Sequence, residues 1–226
     1  MSRYVIDPPP VVAIPVEGGG AFPVRRIYCV GRNYADHARE MGGDPDREAP
    51  FFFSKPRDAA VCADEIPYPP ATRDLHHEVE LVLALKSGGA DIPVEQAMAH
   101  VYGAAVGVDL TRRDLQAQAK KAGRPWTTAK GFDGSAPMGP IRPGAVPERG
   151  EVTLSVDGET RQAGDLDQMV WRSGEIIAHL SRLFRLEAGD LVFTGTPAGV
   201  GAVEAGQKIE ARIADLPPLA FTLSAR

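Results

Sequence analysis

Apolar residues along this chain fall in short runs separated by glycine, proline and charged residues, a pattern typical of strands. Such runs predict strands at residues 25–30, 51–55, 78–85, 101–108, 152–156, 160–162, 191–194, 207–213 and 219–223. The Asp157-Gly158 pair between two of these runs favours a two-residue hairpin turn. We therefore expect a strand-dominated α+β domain built around antiparallel sheets with a few short helices.

Three segments carry helix signals. Asn33 is placed to cap a helix over residues 34–41, and a Thr-x-x-Asp capping signal at Thr111 starts another that ends near residue 122. The third helix begins at Ser173, and its predicted apolar side consists of Ile176, Ile177, Leu180, Leu183 and Phe184.

Length and composition narrow the class of protein. The 226 residues suffice for one domain, and we divide the chain into a Pro/Gly-rich arm at 1–22 and a folded domain at 23–226. A net charge of −5 without a basic stripe argues against nucleic acid as a partner, and no apolar stretch is long enough to span a membrane. Two cysteines are too few for a disulfide framework, so we expect a cytoplasmic protein.

Three carboxylates predict a metal site. Glu78 and Glu80 lie two apart in an apolar run, so a strand would place both on one face. Asp109 stands at the end of another buried run. Oxygen ligands without paired cysteines suit Mg²⁺ or Mn²⁺ better than zinc. The alternative is a solvated sheet edge that binds no ion.

His37 and Glu40 are candidates for acid–base chemistry. They lie three residues apart on a predicted helix, so the carboxylate can orient the imidazole and make it a better base. The alternative is a solvated helix surface, because the neighbouring residues are also polar.

Cations and a glycine-rich turn could serve an anionic substrate. The candidate positive charges are Arg32, Lys55, Arg113 and Lys130, and Lys130 could stabilise a developing negative charge. Gln116 lies on the helix after Asp109 and could face either the metal or water. The turn that includes Thr194, Gly195 and Thr196 could hold a substrate carboxylate, or it could be a tight connection only.

Five blocks of this sequence, in this order, resemble the fumarylacetoacetate hydrolase superfamily. They are CVGRNYADHAREM at 29–41, HHEVEL at 76–81, GVDLTRRD at 107–114, AKGFD at 129–133 and GDLVFTGTP at 189–197. The resemblance covers about residues 22–215. The FFFSKP segment at 51–56, with DPDRE at 44–48, is most similar to the bacterial fumarylpyruvate and acylpyruvate hydrolases.

The resemblance implies a mixed β-sandwich roll, a homodimer, and Mg²⁺ or Mn²⁺ held by Glu78, Glu80 and Asp109, with Ca²⁺ as a substitute in a crystal. It implies that His37 and Glu40 form a water-activating dyad on a lid. The remaining implied roles are polarisation of the substrate by Lys130 and Gln116, and binding of its carboxylate or carbonyl oxygens by Arg32, Arg113 and Thr196.

The activity that this resemblance implies is hydrolysis of the carbon–carbon bond of a 2,4-diketo acid, with fumarylpyruvate giving fumarate and pyruvate. Two alternatives within the superfamily are oxaloacetate decarboxylation or tautomerisation and the isomerisation of 2-hydroxyhepta-2,4-diene-1,7-dioate. A third, from a different class, is a non-catalytic protein that binds a metal or a small molecule.

Overall fold

A computed structural model describes residues 4–35 and 49–225 of the chain. Strands dominate it, as the sequence predicted. In chain order they are β1 (Ala13–Pro15), β2 (Ala21–Pro23), β3 (Arg26–Val30), β4 (Phe52–Lys55), β5 (Ala60–Val61), β6 (Glu65–Pro67), β7 (Leu75–His77), β8 (Val79–Leu85), β9 (Val101–Val108), β10 (Thr111–Arg112), β11 (Ala136–Pro137), β12 (Arg142–Pro143), β13 (Glu151–Val156), β14 (Glu159–Asp165), β15 (Asp190–Phe193), β16 (Gly201–Val203), β17 (Lys208–Ile213) and β18 (Leu219–Ser224).

The described helices are short. They are α1 (Val94–Ala97), α2 (Arg113–Lys121), α3 (Thr127–Lys130) and α4 (Ser173–Leu183), and 3₁₀ turns occur at Arg57–Ala59, Met98–His100 and Leu166–Gln168. None of the helices in the described part of the chain is both long enough and apolar enough to cross a membrane.

Two mixed sheets form most of the fold. The larger has six strands in the order β12-β9-β8-β15-β3-β4, and the second has five in the order β14-β13-β17-β18-β6. Most neighbours are antiparallel, but β15 runs parallel to β3 and β18 runs parallel to β6. A three-stranded sheet, β10-β7-β16, carries the residues just before Glu78. The structure is thus the strand-dominated mixed fold that the sequence analysis expected.

Strand β8 lies at the centre of the core and is buried on both faces. Leu81 and Leu83 belong to the cluster shared with the five-stranded sheet, whereas Val82 and Ala84 belong to a second cluster on the opposite face. Because strand side chains alternate, Glu80 points to the same face as Val82, and the second apolar cluster covers that face. This alternation explains why an acidic side chain is fully enclosed in an otherwise apolar strand.

The N-terminal residues divide into two parts. Residues 4–11 are exposed, as an arm would be, but β1 and β2 pair as an antiparallel hairpin. Ile14 and Phe22 of this hairpin are buried in the second apolar cluster. The boundary predicted after residue 22 therefore falls inside β2, and the arm-like part of the described chain is shorter than residues 1–22.

All nine strands predicted from apolar runs overlap an observed strand, and the Asp157-Gly158 turn is confirmed, with φ of 52° and 84°. Two helix details were wrong. Leu183 and Phe184 are 63% and 39% exposed, because the helix ends at Leu183 and the backbone of Phe184 is extended. No side chain caps α2: Thr111 lies in β10, where its hydroxyl donates to Asp109 O.

Candidate metal centre and substrate pocket

The three predicted carboxylates come together where β8 and β9 pair. Glu78 immediately precedes β8, Glu80 lies in it, and Asp109 follows β9. The antiparallel pairing of the strands, closed by a 2.8 Å hydrogen bond from Asp109 N to Glu78 O, brings the two ends side by side. One carboxylate oxygen from each residue lies within 4.8 Å of the others, and all three residues are buried.

Three cations surround this triad. Lys130, at the end of α3, donates from Nζ to Glu78 Oε2 at 2.8 Å and to Asp109 Oδ2 at 2.6 Å. Lys55 Nζ lies 2.7 Å from Asp109 Oδ1, an ion pair without hydrogen-bond alignment. Arg113 donates from Nη2 to Glu78 Oε1 at 2.5 Å. Among the described side chains, these three cations therefore equal the three carboxylates of the triad in number.

Burial and like charges act against ionisation of Glu80. Its described hydrogen bond comes from Gly195 N–H, 2.7 Å from Oε2. Burial first, then Asp109 and Glu78, raises the pKa of Glu80 well above its usual value, and Lys130 offsets only part of the effect. A divalent cation would hold all three carboxylates ionised. The triad suits such an ion, because it offers only oxygen donors and Asp109 Oδ1 has no aligned hydrogen-bond donor.

Lys130 is positioned to remain a charged donor. Burial alone would lower its pKa, but Asp109 and Glu78 outweigh burial and raise the pKa above the usual value. Two of its three N–H groups are used by the triad, which leaves one that can serve a bound molecule.

The glycine-rich turn after β15 lies against the same triad. Gly195 has φ +96°, and a Cβ there would lie 2.7 Å from Asn33 Cβ, so only glycine fits without movement. The Thr194 hydroxyl donates to Leu81 O at 3.0 Å. In this arrangement the Gly195 N–H and the Thr194 hydroxyl bind the chain's own groups, and the roles of this turn toward a substrate stay predictions.

Gln162, which the sequence analysis did not identify, connects this turn to the start of β8. Its Nε2 donates to Thr196 Oγ1 at 2.8 Å and to Pro197 O at 3.0 Å. Its Oε1 accepts from Val79 N at 3.1 Å and faces His77 Nδ1 at 2.9 Å. Since Oε1 can only accept, the His77 hydrogen is assigned to Nδ1. The fully buried amide thus makes four hydrogen bonds across 34 to 85 residues of sequence, a separation that local pattern does not reveal.

Lys55 and Arg113 act on the triad rather than projecting into open space. Beyond its ion pair with Asp109, Lys55 Nζ donates to Leu110 O and Lys130 O, so the chain's own groups hold this ammonium in place. Arg113 donates to Glu78, to Gln116 Oε1 at 2.6 Å and, from Nε, to His76 Nδ1 at 3.4 Å. Their roles as substrate contacts stay predictions, and the geometry favours support of Asp109 and Glu78.

A pocket opens beside the triad. Its lining consists of Gly31, Arg32, Phe53, Glu78, Arg113, Gln116, Lys120, Trp126 and Lys130. Arg32 and Gln116 thus line the same pocket as Glu78, and their roles toward a substrate stay predictions. His37 and Glu40 lie outside the described residues, and the dyad stays a prediction. Lys120 was missed, although a signal existed: it follows Arg113 by seven residues and Gln116 by four, which places all three on one face of α2.

With this geometry in view, comparisons identify the family. The model of the fumarylacetoacetate (FAA) hydrolase C-terminal family matches residues 26–224. The chain is 43% identical over 207 residues to the mitochondrial oxaloacetate tautomerase FAHD1 of Arabidopsis thaliana, covering 89% of this chain and 92% of that protein. It is 42% identical over 188 residues to a fumarylpyruvate hydrolase of Ralstonia sp, covering 81% and 98%.

One solved structure is similar to this chain over nearly its whole length. Fumarylpyruvate hydrolase from Pseudomonas aeruginosa, crystallised in complex with Mn²⁺ and pyruvate, superposes with a TM-score of 0.97 at 50% identity. The match covers 99% of this chain and 100% of that one. The resemblance stated from five sequence blocks is thereby confirmed, and the chain belongs to the fumarylacetoacetate hydrolase family of enzymes.

Proposed function

We propose that this chain hydrolyses the carbon–carbon bond of a 2,4-diketo acid, fumarylpyruvate, to give fumarate and pyruvate. The observation that carries the proposal is the buried triad of Glu78, Glu80 and Asp109 at the base of a cation-lined pocket. Since three cations already balance the triad, a bound divalent ion would leave the pocket net positive, as an anionic substrate requires. Relatives named as fumarylpyruvate hydrolases support this choice.

The triad would hold Mg²⁺ or Mn²⁺, which supplies Lewis acidity toward the carboxylate and 2-oxo oxygens of the pyruvate end. The remaining N–H of Lys130 is positioned for an oxyanion that forms when water adds to the 4-carbonyl. Gln116 can offer its amide N–H₂, because Arg113 already occupies its carbonyl oxygen. Thr196 can donate its hydroxyl hydrogen, because Gln162 donates to its oxygen.

We assign His37 as the base that takes the proton from the attacking water. Glu40 is the group that orients the His37 imidazole. We expect His37→Ala to lower the rate of fumarylpyruvate hydrolysis about 10²–10⁴-fold, the usual contribution of a positioned base. His100→Ala is the matched control, because His100 pairs with Ser87 in an exposed contact. Hydrolysis at the wild-type rate in His37→Ala would remove the dyad from the mechanism.

A second candidate function is oxaloacetate tautomerisation or decarboxylation, which the Arabidopsis thaliana relative favours. Both reactions use the enolate of an oxo acid but need no attack by water. Pyruvate release is therefore measured with fumarylpyruvate, acetylpyruvate and oxaloacetate, each with Mn²⁺ and with EDTA, and the keto–enol interconversion of oxaloacetate, which releases no pyruvate, is followed separately by ultraviolet absorbance. We expect the diketo acids to be cleaved faster and EDTA to abolish the release. Turnover of oxaloacetate alone would replace the hydrolase proposal with this second function. The homodimer and the cytoplasmic location stay predictions.

A further inference from the structure

The pocket beside the triad also carries two cations that do not pair with the triad. Arg32 and Lys120 line the pocket together with Phe53 and Trp126. Lys120 Nζ lies 5.3 Å from the centroid of the Trp126 ring, and the Arg32 guanidinium lies 5.9 Å from the centroid of the Phe51 ring. Both cations are thus placed over aromatic faces, which hold a cation without neutralising it.

The charges around Lys120 are mostly positive. Within residues 4–35 and 49–225, no carboxylate oxygen lies within 4.0 Å of its ammonium group. Partial burial lowers the pKa of Lys120, and Arg113 and Arg32 lower it further, whereas Glu78 acts in the opposite direction. A ligand carboxylate placed between Lys120 and Arg32 would relieve this excess of positive charge.

The position of Lys120 suits the far end of a substrate rather than the end at the triad. Seven residues separate it from Arg113, which binds Glu78, so its Cα lies about 10 Å further along the α2 axis. Trp126 and Phe53, which line the pocket together with Lys120, also line an adjacent cavity of about 400 Å³. An acyl arm that extends away from the triad would therefore pass along aromatic faces toward these cations.

We propose that Lys120, seated on Trp126 and beside Arg32, binds the terminal carboxylate of the acyl arm and so selects diketo acids that carry a second carboxylate. This inference rests on the proposed function, since the acyl arm is that of the 2,4-diketo acid. It assigns to Lys120 the discrimination between a fumaryl group, which ends in a carboxylate, and an acetyl group, which ends in a methyl group.

The test compares kcat/KM for fumarylpyruvate and for acetylpyruvate in the wild type, Lys120→Met, Lys120→Arg and the control Lys121→Met. Lys121 is the exposed neighbour on the same helix. In Lys120→Met, the ratio of fumarylpyruvate to acetylpyruvate kcat/KM should fall about 10- to 100-fold, the range for loss of one charged hydrogen bond, with most of the change in KM. Lys120→Arg should recover part of the ratio, and Lys121→Met should keep it.

The possible outcomes distinguish failure of this inference from failure of the proposed function. A wild-type enzyme that cleaves neither diketo acid overturns the proposed function and the inference with it. A wild-type enzyme that cleaves both, with a ratio unchanged in Lys120→Met, overturns the inference alone. An equal loss for both substrates also overturns it, because that pattern indicates a structural role for the Lys120 side chain.

Discussion

The two walls of the pocket differ in how the chain builds them. The acidic wall consists of the triad side chains at the ends of β8 and β9, central strands of the larger sheet. All three are buried, and Glu78 and Asp109 are also paired with neighbouring cations. The opposite wall consists of Arg32, Lys120 and Trp126, which lie in a loop, at the end of a helix and between two helices, and none of them is buried.

This difference indicates a division of labour. Side chains held on both sides by a packed sheet keep fixed distances, which is what a metal centre and a proton-transfer step require. Partly exposed side chains on loops and helix ends can change without disturbing the core, as binding residues often do. We therefore expect the acidic wall to determine whether the reaction occurs and the cationic wall to determine which acyl group is accepted.

The largest effect is expected from a change within the acidic wall, Glu80→Gln. Removal of one charged ligand should lower activity by more than about 100-fold, which is already the upper range for loss of an outer-shell partner, and abolish Mn²⁺ binding. In EDTA the variant should be at least as stable as the wild type, because Glu80 lies among like charges. Calorimetric titration with Mn²⁺ and thermal unfolding measure the two effects.

Glu151→Gln is the control for that substitution, since Glu151 is an exposed residue at the start of β13. It should bind Mn²⁺ and cleave substrate as the wild type does. If Glu80→Gln bound Mn²⁺ with wild-type affinity, Glu80 would not be a ligand and the acidic wall would not be a metal centre.

Substitutions in the two walls should have clearly different effects on the free energy of unfolding. Lys130→Met leaves Glu78 and Asp109 without their shared partner, so unfolding free energy should fall by about 3–5 kcal/mol in EDTA. Lys120→Met should change it by less than about 0.5 kcal/mol, because Lys120 is exposed. Urea unfolding with EDTA and with Mn²⁺ tests both variants. Similar losses in the two variants would contradict the division between walls.

The sequence predicted the acidic wall because its signal is local. Alternation along one strand places Glu78 and Glu80 together, and an apolar run delivers Asp109 to the same edge. The same reasoning could not pair Gln162 with His77 or Asn33 with Trp171, since those hydrogen bonds join residues 85 and 138 positions apart. Such contacts depend on how sheets stack, and a single chain's pattern does not encode that directly.

Other predictions failed where a tertiary contact replaced a local one. Asp114 fits a capping signal, but its carboxylate accepts from Thr72 Oγ1 and Arg73 N instead. The capping of a helix over residues 34–41 by Asn33 is a different case and stays a prediction, because residues 36–41 lie outside the described part of the chain; the described hydrogen bonds of the Asn33 side chain go to Trp171 and to Thr194 O. Lys120 is the opposite case. Its helical spacing from Arg113 is a local signal that could have predicted its place in the pocket, but the sequence analysis did not use it.

The smallest expected difference between two paired variants concerns the turn that joins the acidic wall to the rest of the site. Gly195 and Gly206 share a positive φ, 96° and 92°, but a Cβ on Gly195 would meet Asn33 whereas one on Gly206 would meet nothing within 4 Å. Each change to alanine carries the backbone strain of about 1–3 kcal/mol. Gly195→Ala should cost about 1–3 kcal/mol more, because its surroundings must shift. It should also weaken Mn²⁺ binding, since the Gly195 N–H holds Glu80. Urea unfolding and Mn²⁺ titration measure the differences in stability and in Mn²⁺ affinity between the two variants. Equal losses of stability with unchanged Mn²⁺ affinity would contradict this prediction and show that the acidic wall tolerates movement of this turn.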